Sequence, residues 1–152
     1  MRINPIRSVV AVVGGVLLLN FMSSTLQNTL ISVVAQAPPA DEAAFLAVRN
    51  RPIVLGISLV THVLAATLAG YIIAKVSGVH EVRHAMVAAA LLAVGYASTF
   101  MNENAMLPPA WVRVAMLILT PPALVAGAHV RAEARAIQAE RPGPMQPEQE
   151  RR

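Results

Sequence analysis

Four long apolar stretches decide most of what this chain can fold into. They run from about Ser8 to Ala35, Ile53 to Ala74, Ala85 to Met101 and Trp111 to Ala128. About 20 residues of helix cross the roughly 30 Å of hydrocarbon in a bilayer. A separate segment in hydrocarbon must satisfy its own backbone hydrogen bonds, which selects helix. Strands of a membrane barrel are shorter and alternate in polarity, and these stretches do not. The composition agrees, with 56% hydrophobic and 13% charged residues, against roughly 45–50% and about 25% in an average soluble domain. So few charges cannot cover a water-soluble surface, and so apolar a chain is not disordered. The absence of cysteine excludes disulfides, thiolate catalysis, iron–sulfur clusters and Cys-type zinc sites. The predicted fold class is all-α: an integral membrane protein folded as a four-transmembrane-helix antiparallel bundle.

The intervening segments set the organisation. Residues 1–130 form the membrane domain, with helices at about 8–35, 53–74, 85–101 and 111–128. Residues 131–152 form a charged cytoplasmic tail, helical at first and then disordered, rich in Pro, Glu, Gln and Arg. The segment Gln36–Pro52 is the one sizeable loop, in which Asp41 is placed to cap a short amphipathic helix over Glu42–Val48. A basic turn around Gly78 joins helices two and three, and Pro108-Pro109 breaks the chain before helix four. Glu103 and Arg113 are placed to pair across that last loop. A signal-peptide reading of the N-terminus, ending at Ala35-Gln36-Ala37, requires too long a gap after the run Val9–Leu19.

Charge gives an orientation. Arg2, Arg7, Lys75, Arg83, Arg131, Arg135, Arg141, Arg151 and Arg152, nine residues, fall on one side; Arg49, Arg51 and Arg113 fall on the other. The basic side faces the cytoplasm, which places a multi-pass protein in the inner membrane with both termini cytoplasmic. The net charge of +4 is then a topology signal, and no basic stripe interleaved with aromatics points to nucleic acid. The partners expected are the lipid bilayer and a second copy of the chain or another membrane protein. The copies would meet through the stripe Ser58, Ala65, Ala66, Ala69 and Gly70.

Polar residues inside the spans are the site candidates. Helix one carries Asn20, Ser24, Gln27 and Asn28 on one face, expected to point into the bundle, with Leu19, Met22, Leu26, Leu30 and Val33 toward lipid. Helix two carries His62 near its centre, a titratable group that is costly in hydrocarbon. Asn20, Ser24, Tyr96 and Thr120 lie at matching depth as its partners. Such side chains also serve as ordinary interhelical hydrogen bonds. Thr120-Pro121-Pro122 predicts a kink in helix four, since two prolines withdraw two backbone donors.

One further motif lies in the basic turn. His80-Glu81-Val82-Arg83-His84 fits H-E-x-x-H, in which two histidines one helical turn apart hold zinc and the glutamate is the base. A catalytic zinc needs a third protein ligand, and His129 or Glu133 at the same end of helix four are the candidates.

The run Ala69-Gly70-Tyr71, Ala74-Lys75, Glu81 and His84-Ala85 resembles a recurrent type of small uncharacterised bacterial four-helix inner-membrane protein. In that pattern a Gly-Tyr ends helix two, an alanine follows one turn later, and a histidine after a short basic turn opens helix three. Gly70, Tyr71, Ala74 and His84 match it; His80 has no counterpart. The resemblance implies the four-helix layout and lends no catalytic role. The functional expectation is a structural, accessory or interaction protein without a cofactor. The alternatives are a small transporter or channel subunit using the midplane cluster, and a zinc-dependent membrane hydrolase.

Overall fold

A computed structural model describes residues 5–36, 38–78, 80–101 and 107–140. These residues form α1 (Pro5–Ala35), α2 (Glu42–Arg49), α3 (Pro52–Ser77), α4 (Glu81–Ser98) and α5 (Ala110–Glu140), with a 3-10 turn over Thr99–Met101 after α4. The architecture is an all-helical bundle, and α1, α3, α4 with its 3-10 turn, and α5 are long and apolar enough to cross a membrane. Glu103 lies outside the described residues, as do the last dozen residues.

Local chemistry explains the helix ends. Asp41 is extended at the start of α2, and its Oδ1 accepts the Ala44 amide at 2.8 Å, as its position in the sequence predicted. The apolar side of α2 closes one end of the bundle, where Val48 and Phe45 pack on Ile31 and Val54. Pro52 opens α3, where its missing N–H costs nothing. Gly78 ends α3 with φ +68° and donates its N–H to the Ala74 carbonyl at 3.2 Å. That left-handed conformation is cheap only for glycine. His80 is also left-handed, with φ +49°, and α4 starts immediately after it.

The core is built from small side chains. Ala11, Val12 and Leu19 of α1 meet Ala65, Ala66, Ala69 and Ile73 of α3. Ala88, Ala89 and Leu92 of α4 and Ala123 and Leu124 of α5 complete the cluster. Two glycines let α3 and α5 touch backbone to backbone. A Cβ on Gly70 would lie 2.0 Å from the Leu124 carbonyl oxygen, and one on Gly127 would lie 1.9 Å from that of Thr67. The stripe proposed for contact between copies, Ser58, Ala65, Ala66, Ala69 and Gly70, is therefore consumed inside the bundle. The perimeter is apolar, with Leu17, Phe21, Val60, Leu64, Val94 and Ile118 among its exposed side chains. A bundle apolar both inside and outside is stable only in an apolar solvent.

The structure corrects the rotation of α1. Leu19 is fully buried and Met22 packs against the core, while Asn20, Ser24 and Asn28 face outward and Gln27 is half-buried. Steric fit decides this. Gly15 lies against Ile73, where a Cβ would meet Ile73 Cγ1 at 2.2 Å. That close approach, with Ala11, Val12 and Leu19, fixes the inner face and turns the polar stripe away. α5 runs as one continuous helix through Pro121 and Pro122, where the sequence predicts a kink. The prolines remove only the donors to Leu117 and Ile118, and the rest of the ladder has no better partner in hydrocarbon.

Candidate functional site

One side chain from each of the four long helices meets at a single point. His62 of α3 is 5% exposed. Its Nδ1 lies 2.9 Å from Ser23 Oγ of α1. Its Nε2 lies 2.9 Å from Tyr96 Oη of α4 and 3.1 Å from Thr120 Oγ1 of α5. The Tyr96 ring stands edge-on to the imidazole, with centroids 6.0 Å apart and planes at 78°. Thr120 is fully buried. Residues facing α3 from α5 recur at helical spacing: Thr120, Ala123, Leu124 and Gly127.

The sequence placed His62, Tyr96 and Thr120 at one depth, and the structure brings these three together. It does not bring Asn20 or Ser24 to them. Ser23 takes their place, and Asn20 bonds its own helix, donating from Nδ2 to the Val16 carbonyl at 3.0 Å. Ser23 is 100° round the helix from Ser24, which is the difference between the inner and outer faces.

The hub's chemistry is that of a closed polar junction. A neutral imidazole has one donor and one acceptor, and a hydroxyl can play either part. Either tautomer is therefore satisfied by the three hydroxyls. These four side chains include no carboxylate. One turn away, the buried Ser58 Oγ has no hydrogen-bond partner among the described residues.

The HEVRH segment is not one continuous stretch of helix. His80 is the left-handed residue before α4, so the two histidines do not occupy successive turns of one helix. His84 Nδ1 donates to the His80 carbonyl at 3.0 Å. Glu81 is buried, and its Oε1 accepts from Arg135 Nη1 of α5 at 2.9 Å. Arg135 also donates to the Gly78 carbonyl at 2.7 Å. Ala128, Ala132, Arg135 and Ala136 of α5 face this region, which leaves His129 and Glu133 one position round, both exposed. Among the described residues no three His, Asp or Glu side chains converge on a point that could hold a metal ion.

Arginines tie down the opposite end. Arg49 is buried on α2, and its Nη2 donates to the Leu107 carbonyl at 3.1 Å. Burial pushes the Arg49 guanidinium below its ordinary value, and an arginine keeps its charge regardless. Arg113 of α5 donates from Nη1 to the Thr99 carbonyl at 2.6 Å and lies over the Phe100 ring at 4.7 Å. Two of the surface clefts lie away from the hub. One, of about 520 Å³, lies between His80–Arg83 and Ala132–Ala139; the other, of about 570 Å³, lies between Asn28 and Pro38. Neither touches a hub residue.

The chain matches no protein-family model, no curated protein and no solved structure.

Proposed function

We propose that this is a small multi-pass protein of the inner membrane with a structural, accessory or interaction role and no chemistry of its own. Both termini lie in the cytoplasm in this reading, which the nine-to-three sorting of basic residues supports. The observation that carries the functional reading is the saturation of His62. Both ring nitrogens are taken by hydroxyls from three other helices, the ring is 5% exposed, and neither of those two clefts is lined by a hub residue. A transport site needs a group that can exchange its partner for a substrate or a proton. Here the histidine acts as the pin that holds four helices in register.

Reconstitution in lipid vesicles tests this. Vesicles containing the wild-type protein or His62→Ala are expected to show the same proton and ion permeability as empty vesicles, and His62→Ala is expected to unfold more easily. A wild-type flux that His62→Ala abolishes would overturn the reading in favour of a transporter or channel subunit.

A further inference from the structure

The outward polar stripe of α1 is left without a purpose by the hub. Ser24 and Asn28 are exposed and Gln27 is half-buried, and none of the three takes a hydrogen bond among the described residues. Asn20 uses one amide hydrogen on its own backbone, which leaves its carbonyl oxygen open. Their depth makes this costly. Ser23 is bonded to His62, and His62 lies ten residues inside α3 from Pro52, about 15 Å at 1.5 Å per residue. That is about half the thickness of the hydrocarbon. Asn20 is three residues from Ser23, about 4.5 Å along the axis, and Ser24 adjoins it. These groups stand in the bilayer core, where lipid offers no hydrogen bond.

The stripe continues as a seam. Val10, Val13, Leu17, Asn20, Ser24 and Gln27 follow one another at alternating steps of three and four residues. Val10, Val13 and Leu17 are 57%, 49% and 63% exposed. This spacing is that of two helices packed side by side with a left-handed crossing. No charged residue occurs from Ser8 to Ala35 to oppose such contact.

We propose that α1 is the interface for a second copy of this chain, related by a two-fold axis along the membrane normal. The occupant follows from geometry and chemistry together. Two copies inserted in the same orientation bring each residue to the depth of its own counterpart. Asn, Gln and Ser each offer both a donor and an acceptor. Asn20 then meets Asn20 and Gln27 meets Gln27, and each amide pair is complementary to itself. The small-residue stripe of α3 cannot serve, being buried against α5. The inference needs only that the four helices cross a bilayer, and stands whether or not the hub is inert.

The cysteine-free chain suits cysteine cross-linking. Single variants Val13→Cys, Leu17→Cys, Asn20→Cys and Ser24→Cys are oxidised in native membranes, beside Leu18→Cys and Met22→Cys off the seam and Leu64→Cys on α3. Disulfide-linked dimers are expected at the four seam positions and at none of the controls. A second measurement uses fluorescence transfer between labelled copies in vesicles of the same lipid. There Asn20→Leu with Gln27→Leu is expected to weaken association roughly tenfold without loss of the folded helix content. Absence of dimers, cross-linking without the three–four periodicity, or adducts formed only with a different protein would overturn the proposal. Vesicle flux is read separately, so failure of this interface and failure of the inert-hub reading give different results.

Discussion

Replacing Gly127 by alanine tests the closest contact in the bundle. A Cβ there would stand 1.9 Å from the Thr67 carbonyl oxygen and 2.9 Å from the Tyr71 amide nitrogen. Both obstacles are backbone atoms of α3, so no rotamer change relieves them. Ordinary contact begins near 3.4 Å, so α5 must withdraw from α3 by about 1.5 Å (3.4 − 1.9) near this point. A radial gap of half to one ångström already forfeits a quarter to a half of a dispersion contact, and forced overpacking costs about 1–3 kcal/mol. The rigid obstacle places Gly127→Ala at the upper end, about 3 kcal/mol. Alanine recovers about 1 kcal/mol as the better helix former. The net expectation is a loss of about 2 kcal/mol, a factor of roughly 30 in the unfolding equilibrium. Gly14 and Gly95 are the internal controls, because a Cβ at either meets nothing within 4 Å. Gly14→Ala and Gly95→Ala should be neutral or stabilising by up to about 1 kcal/mol. Reversible unfolding in mixed micelles, titrated with denaturing detergent and followed through the single tryptophan, Trp111, gives all three values. If Gly127→Ala proves as stable as Gly14→Ala, the α3–α5 contact is not as close as described and the steric account of the bundle fails.

Three further outcomes follow from named contacts. A double-mutant cycle of His62→Ala with Tyr96→Phe should return a coupling of about 0.6 kcal/mol, the usual worth of an interhelical hydrogen bond in a membrane; zero coupling would mean that the 2.9 Å contact is not made. Asp41→Ala should cost about 1 kcal/mol of local stability in α2, seen as faster amide hydrogen exchange at Ala44. Arg135→Ala leaves the Glu81 carboxylate buried with its ion partner gone and should lower stability by about 1 kcal/mol, discounted because the arginine is half exposed. Glu81→Gln, which removes the charge, should cost less in the same unfolding titration.

Much of this could be read from the residues. Run length set the four spans, Asp41 announced the cap of α2, and helical spacing put His62, Tyr96 and Thr120 at one level. The rotation of α1 could not be read in the same way. Polarity argued that Asn20 and Ser24 point inward, whereas the tight fit of Gly15 on Ile73 decided otherwise. In hydrocarbon the helix–helix contact is won by close packing, and polar groups adapt to it. Gly15, with its missing side chain, was the available signal. The HEVRH segment departs from its pattern for a local reason. The pattern presumes helix throughout, and one left-handed residue at His80 removes the first histidine from the face that the second occupies. Pro121 and Pro122 leave α5 continuous, because two lost donors do not outweigh a helix held on one side along α3 and α4.

The order in which the helices are synthesised gives the α3–α5 contact a further significance. Until α5 emerges, α3 presents its most closely packed face, Ala65, Ala66, Ala69, Gly70 and a histidine short of one hydroxyl, to lipid. A chain stopped before Ala110 would hold three of the four long helices and no closed bundle. Of these four spans α5 is made last and is the one that closes the bundle, and a nascent chain without it carries an open groove beside α3 and a histidine that lacks one of its three hydroxyl partners.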